Sequence, residues 1–162
     1  MPIVDHYFDI SNRAVPIFNQ ACFMRLITGW YSKKPEHDKA KWAAILAVIA
    51  LGVQSQVPGD TISSISAQDS ELLDYCMRNA QSVIPELIAR DEDLLGIQVV
   101  LSLVILFRNS SDLRPASTLL GMVVKLAHRM QLHSSDLALY LGAEDSRQGL
   151  RVCWIIYMLD KV

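Results

Sequence analysis

Apolar residues recur at spacings of three and four along almost the whole chain, and the period-two alternation of a half-buried strand is nearly absent. That pattern predicts an all-α protein of six or seven helices. The first runs from about Asp5 to Ala14 and stops at Val15-Pro16, because a proline ring disfavours the α conformation in the residue before it. A second covers about Asn19 to Tyr31 and gives way to the polar stretch Ser32 to His37. Asp38 is placed to cap a third, running to about Gln54 with Trp42, Ile45, Leu46 and Ile49 as its inner stripe.

Val57-Pro58-Gly59-Asp60 through Ala67 reads as a surface loop. The next helix begins near Asp69-Ser70, turns Leu72, Leu73, Cys76, Ala80 and Val83 inward, and is kinked or ended by Pro85. Asp91-Glu92-Asp93 opens another. Three carboxylates there suit the positive end of the helix dipole and need no metal ion. From Asp93 to Phe107 the chain is apolar on nearly every face, so this helix has to be covered on several sides. The expected architecture is therefore a layered antiparallel helical array rather than a small bundle. Ser110-Ser111-Asp112 offers caps for a helix from about Pro115 to Met130, with the proline in its first turn. A last helix runs from about Asp145 to Val162 with no stop signal after it, as if the sequence were cut inside an element or just at its end. Alone, such a chain is expected to be marginal or self-associating.

Composition narrows the chemistry. With 162 residues, 51% of them apolar, the chain can bury a core. Fifteen Lys and Arg against seventeen Asp and Glu leave a formal charge of −2, which gives no field to hold a phosphate backbone, so direct nucleic-acid contact is not expected. Leu94 to Phe107 is the longest nearly apolar run and falls short of the roughly 20 residues that span a bilayer. No membrane partner is expected. Cys22, Cys76 and Cys153 are odd in number and far apart, which points to a reducing, intracellular setting. The N-terminus lacks a secretory signal's basic and apolar regions, so no export is expected.

No enzyme can be built from the usual parts. His6, His37, His128 and His133 form no pair at metal-ligand spacing on a helix, and the glycines form no phosphate-cradling run. Pairing Cys76 with His128 would require a reactive thiol at a position that the pattern buries. No catalytic, metal or DNA-binding residue is assigned, and no cofactor is expected in this chain.

One stretch is more particular than generic helix. From Gly121 the chain reads Gly-Met-Val-Val-Lys-Leu-Ala-His-Arg-Met-Gln-Leu-His-Ser, and from Arg147 it reads Arg-Gln-Gly-Leu-Arg-Val-Cys-Trp-Ile-Ile-Tyr-Met-Leu-Asp-Lys. This resembles the middle homology region of fungal zinc-cluster transcription factors. There, Gly-x-Ala-x-Arg-x-Ala-x-x-Leu-Gly-Leu-His-Arg is followed by Arg-Arg-x-x-Trp-x-x-Tyr-x-Leu-Asp-Arg. Gly121, Lys125, Ala127, Leu132, His133, Arg151, Trp154, Tyr157 and Asp160 fall on matching positions. Tyr7-Phe8, Val15 to Phe18, Ile49-Ala50-Leu51-Gly52 and Ile97 to Leu101 echo further family segments in the same order. Departures are Lys125 for arginine, Gln131 for the glycine before Leu-His, and Ser134 for the arginine after it.

The resemblance implies part of a regulatory domain spanning residues 1–162, in a nuclear protein controlling transcription. It also implies that DNA reading and zinc belong to a six-cysteine module, which three scattered cysteines cannot build, and that further helices follow the last motif. The motif residues are expected to be structural, with Arg151 and Trp154 one turn apart. Protein partners or self-association are expected, along with a small-molecule effector between helices, at residues the sequence does not identify. The alternative is a stand-alone helical adaptor that has lost the DNA-binding module.

Overall fold

The structure is a computed structural model that describes residues 1–32, 38–56, 66–90, 93–110 and 112–161. Among these residues every regular element is helical. The elements are α1 (Pro2–His6), a π-helical turn (Tyr7–Ser11), α2 (Asn12–Ala14), α3 (Gln20–Ser32), α4 (Lys39–Ser55), α5 (Ala67–Ser82), α6 (Ile84–Ala89), α7 (Leu94–Arg108), α8 (Arg114–Arg129), α9 (Leu137–Tyr140) and α10 (Ala143–Lys161). The all-α expectation holds. The parts of the expected boundaries at residues 33–37, 57–65, 91–92, 111 and 162 lie outside the described residues.

Local chemistry accounts for the boundaries. Val15 takes extended backbone (φ −134°, ψ 92°) ahead of Pro16 and ends the first helical segment where the proline requires it. The Asp38 carboxylate accepts the Ala40 N–H at 3.0 Å and starts α4. Ser66 Oγ does the same for Asp69 N at 3.1 Å, and Asp93 Oδ1 for Leu95 N at 3.0 Å. Pro85 sits in the first turn of α6, where its missing N–H costs no helical hydrogen bond. Two features were not anticipated: the short α9, and the π turn inside the N-terminal helix.

α4 and α7 form the centre. α4 packs against α5 on one side and α7 on another, α7 carries α8, and α10 lies on α8 and α7, while the N-terminal segment crosses α4. Central placement explains why these two helices lack an ordinary polar face. Ala43, Ala44, Ala47, Val48 and Ala50 of α4 are fully enclosed, as are Val99, Val100, Leu101, Leu103, Val104 and Leu106 of α7. Trp42 and Ile49, expected on the inner stripe of α4, are only partly buried, and Trp42 stacks on Trp30 at 5.6 Å. Each fully buried Leu or Val contributes about 1.5–3 kcal/mol, so the α4–α7 layer dominates the favourable side of folding.

The N-terminal segment is locked onto this layer by aromatic and polar contacts. Tyr7, Phe8, Phe18 and Phe23 form a ring cluster with centroids 4.9–6.4 Å apart. Asn12 clamps the Pro16 corner: its Oδ1 accepts from Tyr7 Oη at 3.0 Å and from Phe18 N at 3.2 Å, and its Nδ2 donates to Phe18 O at 2.9 Å. The segment comes so close to α4 that a Cβ on Gly52 would lie 2.6 Å from the Ile3 carbonyl oxygen. The Ala-Leu-Gly echo therefore has a packing reason at Gly52. Two amides complete the lock. Gln98 Nε2 of α7 donates to Ile17 O at 2.7 Å, and Gln148 Nε2 of α10 donates to Ile17 O at 2.5 Å and Pro16 O at 3.1 Å.

Candidate functional site: the motif face of α8 and α10

The motif residues gather on the C-terminal unit formed by α8, its exit turn, α9 and α10. α8 ends in a reciprocal backbone cap, with Gln131 N–H donating to His128 O at 3.1 Å and Leu132 N–H to Ala127 O at 3.2 Å. This geometry puts Gln131 in the left-handed region at φ 52°. The family pattern has glycine at this position, which a left-handed residue favours. Leu132 then plugs inward and is fully buried, and Ala127 faces the core beside it. Close packing of α10 on this turn is visible at Gly149, where a Cβ would meet Leu137 Cδ2 at 3.1 Å and Leu132 Cδ2 at 3.4 Å.

The remaining motif residues point outward. Gly121, Lys125, His133, Arg151, Trp154, Tyr157 and Asp160 are all exposed. A Cβ on Gly121 would meet nothing within 4 Å, so no contact within these residues requires a glycine there. Trp154 is 65% exposed and Tyr157 55%, and the two rings meet edge to face at 5.9 Å. The cation on an aromatic ring of α10 is Lys161, whose Nζ lies 5.7 Å from the centre of the Tyr157 ring. His128 and His133 approach each other across the α8 exit turn, with ring centroids 5.7 Å apart. Leu150, Cys153, Trp154, Tyr157 and His133 line a groove of about 320 Å³.

Elsewhere two smaller hollows occur. One of about 80 Å³ lies among Phe18, Cys22, Leu94, Gln98, Glu144 and Gln148; Gln148 Oε1 is buried without a hydrogen-bond partner. The other, about 190 Å³, is lined by Tyr7 and Ser11 of the π turn, Leu51, Gln54 and Ser55 of α4, and Ile105 of α7. Sequence reasoning singled out neither, since each is assembled from distant segments.

None of these places presents a poised nucleophile. Burial pushes the thiols of Cys76 and Cys153 up from their ordinary range, and burial together with the neighbouring Glu144 carboxylate does so for Cys22. Cys76 is enclosed in α5 while His128 is exposed at the end of α8. Among the described residues no three His, Cys, Asp or Glu side chains gather as metal ligands, and no helix is long and apolar enough to cross a membrane.

Helices stacked about an apolar centre, with the Gly121 to Asp160 motif set in order along α8 and α10, define a helical domain of the transcription-regulator type. Residues 4–162 match the family described as the fungal specific transcription factor domain, and the chain belongs to that family. It is similar to an ABC-transporter-regulating transcription factor of Aspergillus fumigatus, with 29% identity over 161 residues that cover 99% of this chain and 18% of that protein. A protein of the same description from Aspergillus oryzae is 29% identical over 96% of this chain and 17% of its own length. The Fusaridione A cluster transcription factor fsdR of Fusarium heterosporum is 23% identical over 98% of this chain and 30% of its own. The chain thus spans less than a third of the length of these relatives. No solved structure matches it.

Proposed function

We propose that this chain is a regulatory segment of a fungal transcription regulator: it restrains or licenses transcriptional activation through rearrangement and contacts of its helices, and neither binds DNA nor catalyses a reaction. The observation that carries this reading is the family match across residues 4–162, in which the motif runs in order along α8 and α10. The formal charge of −2 and the upward-shifted thiols of Cys22, Cys76 and Cys153 agree with it. Zinc and promoter recognition belong to a separate module, and the working location is the nucleus. The hollows between the N-terminal segment and α4, α7 and α10 are where a small molecule preferring one helix arrangement would shift the population, by its differential affinity.

The test places residues 1–162 between a heterologous DNA-binding module and an activating segment and measures reporter output. Output should differ several-fold from that with an inert helical spacer of equal length. Equal output from the two fusions would overturn the regulatory reading.

A further inference from the structure

The exposed face of α10 has a composition that packing among the described residues does not call for. Arg147, Leu150, Arg151, Trp154, Tyr157, Met158 and Lys161 follow one another at spacings of three and four, and so form a single continuous stripe. All seven are exposed; Leu150 is 44%, Trp154 65% and Met158 64% accessible. The stripe carries three cations and no carboxylate. Two acidic residues of α10 flank it: Glu144, three residues before Arg147, pairs with Arg25 of α3 at 3.5 Å, and Asp160, three residues after Tyr157, lies at its edge, while Asp145 is on the opposite side of the helix.

The surrounding unit has the same sign. α8 contains no Asp or Glu, and residues 114–161 hold six Lys and Arg against four Asp and Glu, a formal +2 in a chain whose total is −2. His133 and Cys153 border the groove beside Leu150 and Trp154. A row of large apolar side chains at i, i+3, i+4 and i+7 is matched by another helix, which sets its own side chains between them. Cations along the same row select a helix flanked by carboxylates and disfavour one flanked by lysines. Trp, Tyr and Arg are also the residue types that concentrate binding energy at protein interfaces.

We infer that the α10 stripe is a docking surface for an acidic amphipathic helix, whose Leu or Phe face fills the groove beside Trp154 while its carboxylates meet Arg147, Arg151 and Lys161. This goes beyond the transcriptional reading and does not depend on it, since the assay below contains no promoter.

The 162-residue chain is titrated into a fluorescent amphipathic peptide as long as the 19 residues of α10, with leucines on one face and glutamates flanking them, and anisotropy is read. A second peptide has lysine at every glutamate position. The acidic peptide should bind at least about tenfold more tightly than the basic one, and its binding should weaken as salt rises. Trp154→Ala and Arg151→Glu should each weaken it about tenfold. Both positions are exposed, so unchanged thermal unfolding of the variants would separate lost docking from lost folding. Arg13→Glu, on exposed α2, should leave binding unchanged. Equal affinity for the two peptides, or binding indifferent to both α10 variants, would overturn the proposal. So would sedimentation showing that the chain covers this stripe with a second copy, as a dimer that Trp154→Ala dissociates.

Discussion

Substituting Gly52 separates local helix preference from tertiary packing. In the interior of an exposed helix, Gly→Ala stabilises by about 0.5–1 kcal/mol, because alanine loses less backbone freedom on folding. Gly29 in α3 and Gly121 in α8 are such positions, since an added Cβ meets nothing within 4 Å at either. Gly52 in α4 is equally helical, but its added Cβ would stand 2.6 Å from the Ile3 carbonyl oxygen and 2.7 Å from Ile3 Cγ2. The Cγ2 contact can be relieved by a rotamer change, whereas the carbonyl belongs to the backbone of α1 and yields only if the whole N-terminal segment moves. That segment carries Val4, Tyr7 and Phe8 into the core, so its displacement exposes apolar surface and loosens the aromatic cluster. Overpacking of this kind costs about 1–3 kcal/mol, and subtracting the helix-propensity gain leaves a net loss of up to about 2.5 kcal/mol. Urea unfolding of Gly29→Ala, Gly121→Ala and Gly52→Ala under one condition should therefore show two gains and one loss. Adding Ile3→Ala to Gly52→Ala removes only the side-chain contact and should recover little. A Gly52→Ala protein as stable as Gly121→Ala would refute the close crossing of α1 over α4.

Gln131→Gly should stabilise the chain by up to about 1 kcal/mol, since the left-handed backbone costs an L-residue about 1–2 kcal/mol and glycine's extra unfolded-state freedom returns part of that; chemical denaturation measures it. Asp38→Ala should cost about 1 kcal/mol through loss of the α4 cap, while Asp38→Asn keeps an acceptor and should cost less. Burial pushes the Asp38 carboxyl up, but the Arg90 guanidinium at 3.0 Å and the Ala40 and Lys41 N–H groups outweigh it and hold it below its ordinary value of 3.8. A depressed carboxyl stabilises above its unfolded pKa and loses that contribution as pH falls through the folded one. The stability gap between wild type and Asp38→Asn should accordingly be constant near neutrality and close below about pH 4. Ile17 O accepts from both Gln98 and Gln148, so either Gln→Leu change leaves it one donor and the double change leaves none. The double variant should lose more stability than the two single losses added together, by about 1 kcal/mol or more; strict additivity would refute the shared acceptor.

Much of the fold is legible along the chain because its causes are local. Pro16, Asp38, Pro85, Asp93 and Pro115 act within a turn of themselves, and each marks a helix end where its own chemistry requires one. The nearly unbroken apolar character of Leu94 to Phe107 likewise demands neighbours on several sides, and α7 has them. The ordered motif from Gly121 to Asp160 points to the family without coordinates.

Tertiary structure decided the rest, because it depends on residues far apart in sequence. The π turn accompanies the seating of Tyr7 and Phe8 against Phe18 and Phe23, and no period in the sequence signals it. That Gly52 is required by packing and Gly121 is not follows from what crosses above each helix, which their similar local sequences cannot express. The same holds for α10: α8 and α7 take up its Val152, Ile155 and Ile156 side, which leaves Arg151, Trp154 and Tyr157 on the outer one. Burial on one side leaves the other to solvent, and which residues face outward is set by how the helix is rotated in the assembled array.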